Sequence, residues 1–301
     1  MGIKASVKDF LKNSSTVKKI IEKVNVYSLS VPPGHFYSPI PKMDDVRRDD
    51  EGLFNKNISI EGIDFNDVRQ LELLEKFRSY QNIIPFTDSP TSLFRYYYEN
   101  EMYSHSSGSL LFSFLHYLKP KRIIEIGSGF SSALMLDVNN ISFENSIKLT
   151  FIEPNPERLK GLLKEEDYKN ATIIEKRVQD IDINIYAELE DNDILFIDST
   201  HVSKIGSDVN KVIFEIIPRL KKGVYIHFHD ILYPFEYPRD WIYKGVFWNE
   251  SYILRAFLMY NTSFSIQFFN TYLLEKYFTL MQDIPLFNKS IGGCFWMRKE
   301  K

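Results

Sequence analysis

The sequence predicts a doubly wound α/β fold with a mostly parallel sheet, preceded by a helical and irregular N-terminal extension. Three observations support this prediction. From Lys121 onward, short apolar runs alternate with amphipathic helical segments, the first run ends in a Gly-Ser-Gly turn at 127–129, and acidic side chains follow four successive runs. Strands that are separated by helices form parallel sheets through right-handed crossovers.

Length and composition limit the possible functions. The 301 residues accommodate one α/β domain and about a hundred further residues, so we divide the chain into 1–105, a substrate cap, and 106–301, the ligand-binding domain. A net charge of −3 without a basic stripe argues against nucleic-acid binding. The single cysteine, Cys294, fits a reducing compartment, and no apolar run reaches the length of a membrane span. We therefore expect a cytoplasmic protein without a membrane partner.

The extension lacks the strand-helix rhythm of the later chain. Its first 25 residues suggest a short amphipathic helix, and Val31–Pro41 is irregular and rich in proline. Apolar spacing then predicts a helix at Asn66–Gln81 and another at Gly108–Leu118, which ends before Pro120.

The first predicted strand, Arg122–Ile126, leads into a turn that suits close approach to a ligand. Gly127 and Gly129 allow the backbone to lie against a bound group, and the N–H groups of a helix that starts at Ser131 point towards the same place. Glu125 would repel a pyrophosphate but suits a cationic ligand. The third glycine of the dinucleotide motif is replaced by Ser132, so that motif is incomplete.

Six more strands follow in the pattern. They are Lys148–Ile152, Thr172–Glu175, Asp193–Ile197, Val224–Phe228, and two closing strands at Phe264–Asn270 and Gly292–Arg298. Ligands of such sheets bind beyond the carboxyl ends of the strands. The functional residues are therefore expected at these ends.

Polar residues at the strand ends supply the candidate site. Glu153 can accept both hydroxyls of a ribose, and Gln179 and Asp180 are placed to bind an adenine amino group. Asp198 ends the fourth strand, and the fifth provides His227, His229 and Asp230. A single carboxylate here is often only a helix cap, and His227 is expected in the core. Acidic groups at four successive ends exceed what capping requires.

Five segments give the chain a resemblance to a known family. They are EIGSG at 125–129, FIEPNP at 151–156, VQDI at 178–181, LFIDSTH at 195–201 and GVYIHFHDI at 223–231. The chain resembles the class I S-adenosylmethionine-dependent methyltransferases, and more narrowly a bacterial group with PPGHFYSPIP and IDSTH…HFHDI segments. The resemblance implies a Rossmann-like, seven-stranded sheet whose last strand is antiparallel, with S-adenosylmethionine as methyl donor. The donor-binding residues would be Glu125, Gly127, Ser128, Gly129, Glu153, Gln179, Asp180 and Asp198.

Methyl transfer to a hydroxyl requires removal of its proton. His201 and His229 are the candidate bases, and Asp230 can orient His229. The alternative is a divalent metal on Asp198, Asp230 and His229, which is not favoured because magnesium prefers oxygen ligands.

The acceptor is expected to be a small polar molecule, a free or nucleotide-linked sugar, or alternatively a secondary metabolite. The residues predicted to bind it are His35, Tyr37, Ser38, Thr200, Tyr233 and Arg239. The last two belong to the aromatic segment Tyr233–Asn249, which would otherwise pack as a lid. Two other functions remain alternatives, an NAD-dependent oxidoreductase and a catalytically silent binding subunit. A homo-oligomer is compatible with the sequence.

Overall fold

The computed structural model describes residues 30–301, which form two compact units that divide between Leu53 and Phe54. The helix expected in the first 25 residues lies outside the described part. The smaller unit contains helices α1 (Met43–Arg48) and α2 (Asp50–Leu53). Residues 54–105 belong to the same unit as the sheet, although the sequence grouped them with the extension. The substrate-cap role of the extension stays a prediction.

The larger unit alternates helices and strands. Its elements are α3 (Asp67–Arg78), α4 (His105–Leu118), β1 (Arg122–Ile126), α5 (Phe130–Phe143), β2 (Lys148–Ile152), α6 (Glu157–Leu162), α7 (Asp167–Asn170), β3 (Ala171–Ile174), β4 (Ile194–Ile197), α8 (Asp208–Lys211), β5 (Tyr225–His229), α9 (Arg239–Tyr243), α10 (Glu250–Leu258), β6 (Phe264–Phe269), α11 (Asn270–Lys276), α12 (Phe278–Gln282), α13 (Pro285–Lys289) and β7 (Cys294–Lys299). None of these helices combines the length and the apolar character that a membrane span requires.

The seven strands form one sheet in the order β3-β2-β1-β4-β5-β7-β6. The first five strands are parallel, and β7 runs antiparallel to both β5 and β6. The chain reverses its direction of winding between β1 and β4. This confirms the doubly wound, mostly parallel, seven-stranded sheet, and it places the carboxyl ends of β1 to β5 along one edge.

Predicted and observed strands agree closely. β1 and β2 have the predicted bounds, and the other five differ by one or two residues. The apolar spacing over Asp208–Leu220 predicts a single helix. The structure instead has α8, then a π-helical turn at Val212–Ile216 and a 3₁₀ turn at Ile217–Arg219. Pro218 has no N–H group, so regular helical hydrogen bonding ends there.

Buried aromatic rings and one ion-pair cluster attach residues 54–105 to the sheet. Phe114 of α4 stacks on Trp296 of β7 with 3.8 Å between ring centroids, and Phe77 of α3 packs against Phe114. Arg95 is nearly buried and lies 2.6 Å from carboxylate oxygens of both Asp137 in α5 and Asp167 in α7. The segment before α4 is thereby tied to two helices of the α/β layer.

His227 has the core position that its sequence context predicted. Its side chain is fully buried in β5 and packs against Phe196 and Trp296. Burial lowers the pKa of His227 well below its usual value, so the ring is neutral.

Candidate functional site

A cavity of about 530 Å³ opens at the carboxyl ends of the parallel strands. Five strand ends contribute to its wall through residues 127–131, 152–155, 177–179, 198–201 and 229–230. Other segments also contribute to the wall, among them Met102, Tyr103, Lys204 and Trp248. The position is the one expected for a ligand of an open parallel sheet.

The Gly-Ser-Gly turn packs directly on the end of β4. Gly127 has a φ of +85°, and a Cβ at this position would lie 1.7 Å from the carbonyl oxygen of Asp198. The N–H of Ser128 donates to the Glu153 carboxylate at 3.2 Å, and the N–H of Gly129 donates to Ser132 Oγ at 3.0 Å. These contacts fix the turn against the neighbouring strands.

Glu125 lies beneath the turn and outside the cavity wall. It is fully buried, and the hydroxyls of Ser131 and Ser132 donate to its two carboxylate oxygens. Burial raises the pKa of Glu125 to about 8. Ser132, which stands where the third glycine of the dinucleotide motif would be, is thus a partner of this carboxyl group. Glu125 therefore supports the start of α5, and its role in donor binding stays a prediction.

The polar residues that follow β2 and β3 differ in whether they line the cavity. Glu153 and Gln179 line the cavity, and Glu153 accepts hydrogen bonds from the N–H groups of Ser128 and Asn155. A carboxylate has about four acceptor positions, so Glu153 can still bind ligand hydroxyls. Asp180 is exposed, pairs with Arg177 at 2.8 Å and is not part of the wall.

These residues fit S-adenosylmethionine. The Glu153 carboxylate would suit the ribose hydroxyls, the apolar side chains of Ile152 and Val178 would suit the adenine ring, and the glycine turn would allow close backbone approach. Asp198 and Asp230 add negative charge to the same cavity, which suits a sulfonium cation.

Two histidines and two aspartates meet at the ends of β4 and β5. Asp198 Oδ1 lies 3.5 Å from both His201 Nε2 and His229 Nδ1, and Asp230 lies 3.7 Å from His201 Nε2 and 3.4 Å from His229 Nδ1. The structure therefore brings together four residues that the sequence analysis named separately.

Their charges perturb one another. Burial favours the neutral form of each group, but the histidines outweigh it at Asp198 and lower the pKa of this carboxyl well below its usual range. Asp198 and Glu250 likewise overcome the burial of His201 and raise its pKa to about 10. The pKa of His229 is also raised, chiefly by Asp230 and Asp198 against burial.

The two histidines have different fixed partners. His229 Nε2 lies 3.0 Å from Ser107 Oγ in α4. His201 Nδ1 lies 2.9 Å from Glu250 at the start of α10, and the Trp248 ring packs on the imidazole with 4.4 Å between centroids. Sequence reasoning missed Ser107, Trp248 and Glu250 as site residues. The aromatic segment that it singled out ends at Asn249, one residue before Glu250.

Cys294 lies behind His229, away from solvent. Its Sγ is 3.5 Å from Ser107 Oγ, and the residue is fully buried. Burial raises the pKa of the Cys294 thiol to about 11, so the group stays protonated at neutral pH.

One set of side chains has the spacing of a metal site. Ligand atoms of Asp198, His201 and Asp230 all lie within 4.8 Å of one another. The metal alternative from the sequence named His229 with the two aspartates, whereas this set contains His201. The donor set is two carboxylates and one imidazole, which several divalent cations accept.

The residues predicted to bind the acceptor fall in different places. Thr200 lines the cavity and donates through Oγ1 to Asp208. Tyr233 and Arg239 instead line a second cavity of about 580 Å³. Tyr237 of this second wall contacts Trp248 of the first, with 6.0 Å between ring centroids.

His35, Tyr37 and Ser38 belong to the smaller unit. The ring of Phe36, between the first two, stacks on His35 and contacts Tyr37, with 4.2 Å between centroids in each pair. The N–H of Ile40 donates to Ser38 Oγ at 3.2 Å. Acceptor binding by these residues stays a prediction.

Known protein sequences are similar to parts of this chain. The family model described as a methyltransferase domain matches residues 124–231. An uncharacterized protein of Archaeoglobus fulgidus is 38% identical over 167 residues, which are 54% of this chain and 74% of the relative. The residues matched by the family model contain all five of the strand ends that line the cavity.

Solved structures show weaker likeness. The SAH-bound methyltransferase PaMTH1 of Podospora anserina is 15% identical, with 91% of this chain and all of that chain covered at a TM-score of 0.43. A precorrin-6y C5,15-methyltransferase of Geobacter metallireducens is 16% identical, with 60% and 82% covered at a TM-score of 0.37.

The family match spans the glycine turn and the strand ends that build the cavity, and the residues there fit the methyl donor. Among the alternatives, an NAD-dependent oxidoreductase therefore finds no support. The chain belongs to the class I S-adenosylmethionine-dependent methyltransferases.

Proposed function

We propose that this methyltransferase acts on a hydroxyl of a small polar acceptor, a sugar that is free or nucleotide-linked, with His201 as the base. One observation carries the proposal. The Nε2 atom of His201 faces Asp198 and Asp230 in the same cavity that contains the glycine turn and Glu153. A base and a donor-binding surface therefore share one space.

The donor supplies a methyl group on a positive sulfur, which is attacked in line. In this proposal Gly127, Ser128 and Gly129 hold its amino acid end, Glu153 binds its ribose and Gln179 contacts its adenine. Asp198 provides negative charge near the sulfonium. Asp180 and Glu125 act indirectly, because the first pairs with Arg177 and the second supports α5.

His201 is better placed than His229 to accept the proton of the acceptor hydroxyl. His229 Nε2 is engaged by Ser107, whereas His201 Nε2 has no neighbour closer than 3.5 Å among its acidic partners. A positive charge bound beside Asp198 and Asp230 competes with the imidazolium for these carboxylates, so it lowers the pKa of His201. Donor binding thereby favours the neutral ring that general-base catalysis needs.

The remaining cavity wall suits a polar ring. Trp248 presents an aromatic surface, Thr200 and Asp230 present oxygen atoms, and Lys204 presents a cation that can pair with a phosphate. A nucleotide-linked sugar offers hydroxyls and phosphates to these groups. Chemical complementarity between these groups and the cavity wall supports this acceptor class.

The test combines donor binding with methyl transfer. Calorimetry measures the affinity for S-adenosylhomocysteine, and radiolabelled S-adenosylmethionine measures transfer to a panel of free sugars, nucleotide-linked sugars and phenolic metabolites. For the acceptor that reacts, we expect His201→Gln to lower kcat by about 10²–10⁴-fold, the usual contribution of a general base, with the affinity for S-adenosylhomocysteine within about twofold of wild type. His116→Gln is the matched control, because His116 lies in α4 away from the cavity.

Two results would overturn the proposal. Transfer by His201→Gln at the wild-type rate would exclude His201 as the base. Binding of S-adenosylhomocysteine without transfer to any member of the panel would favour the catalytically silent alternative.

A further inference from the structure

We propose that Glu250 is a positioning residue that holds the His201 ring in the orientation needed for methyl transfer. Glu250 acts through His201, so this role rests on the proposed function. The Glu250 carboxylate is fully buried at the start of α10, and its Oε2 lies 2.9 Å from His201 Nδ1. With Nδ1 donating to this oxygen, Nε2 is the ring nitrogen directed at Asp198 and Asp230.

The same turn also holds the backbone of His201. The N–H groups of Asn249 and Glu250 both donate to the His201 carbonyl oxygen at 3.1 Å. His201 has a φ of +59°, a left-handed conformation that non-glycine residues adopt only where the surroundings enforce it. Backbone and side chain of His201 are thus fixed by one element that lies 49 residues away in sequence.

Trp248 restricts movement of the His201 ring by packing against its face. Its ring packs on the face of the His201 imidazole, with 37° between the planes, and it also lines the cavity. Three consecutive residues, 248–250, therefore contact the ring face, the carbonyl oxygen and the Nδ1 atom of one histidine.

The partners of Glu250 distinguish positioning from ordinary packing. Within residues 30–301, its Oε1 atom has no hydrogen-bond partner, and the only side chain bonded to its Oε2 is His201. Burial of a carboxylate is costly unless its partners compensate it. A fully buried carboxylate that serves a single imidazole is therefore expected where that imidazole must be held, as in the outer-shell carboxylates that orient histidine ligands.

Nuclear magnetic resonance of the protein loaded with S-adenosylhomocysteine tests the contact without an acceptor. An Nδ1 proton that is hydrogen-bonded to a buried carboxylate gives a far-downfield resonance, which His201→Gln identifies by its loss. We expect this resonance to disappear in Glu250→Ala, and to persist with a smaller downfield shift in Glu250→Gln, which keeps an acceptor oxygen. Persistence of the wild-type resonance in Glu250→Ala would overturn the inference.

Asp193→Asn is the matched control. Asp193 is equally buried, but it precedes β4 at the opposite end of the strands and accepts from the N–H groups of Lys121 and Arg122. We expect this variant to lose stability and to keep the His201 resonance. If the resonance disappeared in Asp193→Asn as well, it would report general loosening, and the inference would fail.

A double-mutant cycle tests the functional role. We expect Glu250→Ala to lower kcat by about 30–100-fold, the scale of an ångström-sized misplacement, with the KM for the donor within about twofold. The kcat of Glu250→Gln should be at least about a third of the wild-type kcat. In the His201→Gln background, Glu250→Ala should lower kcat further by less than about threefold, because the effects of residues that act as a unit are not additive.

The outcomes separate this inference from the proposed function. If His201→Gln transfers methyl groups at the wild-type rate, the proposed function fails. If His201→Gln is impaired and the Glu250 variants are not, or if Glu250→Ala costs the same in both backgrounds, only the role of Glu250 fails. Should Glu250→Ala not fold, the resonance shift and kinetics of Glu250→Gln provide the same comparison.

Discussion

Gly127 and Asp198 are in main-chain contact: a Cβ added to Gly127 would lie 1.7 Å from the Asp198 carbonyl oxygen. The contact joins the end of β1 to the end of β4, the two strands between which the sheet reverses its direction of winding. The donor-binding turn and the first acidic residue of the reactive cluster are therefore set by the same backbone approach.

Gly127→Ala tests this approach. The added carbon clashes with backbone and must also adopt a φ of +85°, so we expect a loss of about 2–4 kcal/mol in the free energy of unfolding and weaker binding of S-adenosylhomocysteine. Gly161→Ala in α6 is the control, because a Cβ there meets nothing within 4 Å. It should gain up to about 1 kcal/mol from helix propensity. Denaturant unfolding and calorimetry measure both, and equal behaviour of the two variants would contradict the expectation.

Arg95 is expected to dominate the attachment of residues 84–104 to the sheet layer. Arg95→Met leaves Asp137 and Asp167 as buried carboxylates without their cation, which should cost about 3–5 kcal/mol of stability. Lys148→Met removes an exposed ion pair with Glu188 and should change stability little. Urea unfolding of both variants gives the comparison. A small effect of Arg95→Met would show that the aromatic contacts hold this segment without the ion pairs.

Glu125 should give the protein a pH-dependent stability. Burial raises its pKa from 4.5 to about 8 in the folded state, so the folded protein binds a proton that the unfolded chain lacks between these values. Stability should therefore fall as the pH rises through this window, by up to about 1.4 kcal/mol per pH unit. The difference in unfolding free energy between wild type and Glu125→Gln, measured at several pH values, isolates this group. A constant difference would show that Glu125 is already ionised in the folded state.

The raised pKa of His201 predicts an alkaline activity profile. A base must be deprotonated, and Asp198 and Glu250 raise the pKa of His201 to about 10 in the free enzyme. The value of kcat/KM for the donor, which reports the free enzyme, should therefore increase by up to about tenfold per pH unit from neutral pH until it levels off near this pKa. An acceptor hydroxyl of a sugar does not titrate in this range. A flat profile between neutral pH and pH 9 would contradict the assignment.

Removal of divalent cations is expected to leave transfer unchanged. Asp198, His201 and Asp230 have the spacing of a metal site, but the raised pKa of both His201 and His229 places protons beside these carboxylates at neutral pH. A metal must displace the proton from the His201 ring before it can bind there, whereas a sulfonium forms no bond to the ring. Transfer is measured after chelator treatment and desalting. Loss of activity that magnesium or manganese restores would establish the metal alternative instead.

Local patterns made most of the sheet predictable. Apolar runs of four or five residues and the Gly-Ser-Gly turn define β1 to β5 without reference to distant parts of the chain, and parallel strands bring their carboxyl ends to one edge. Glu153, Gln179, Asp198, Thr200, His201, His229 and Asp230 accordingly share the cavity.

Contacts that depend on the path of a loop were not predictable. Asp230 and Phe235 adopt left-handed φ values of +55° and +68°, which the local sequence does not require of non-glycine residues. These turns direct Tyr233 and Arg239 to the second cavity. Glu250 reaches His201 only because the same loop returns to the ends of the strands.

The burial of Cys294 makes this residue a natural probe of local opening of the folded protein. It is the sole cysteine, and both its complete burial and its raised pKa keep alkylating reagents from reacting with the folded protein. The speed of covalent labelling therefore measures how often the layer beneath His229 becomes accessible, without an introduced probe. Slower labelling of Cys294 in the presence of S-adenosylhomocysteine would show that ligand binding makes this opening less frequent.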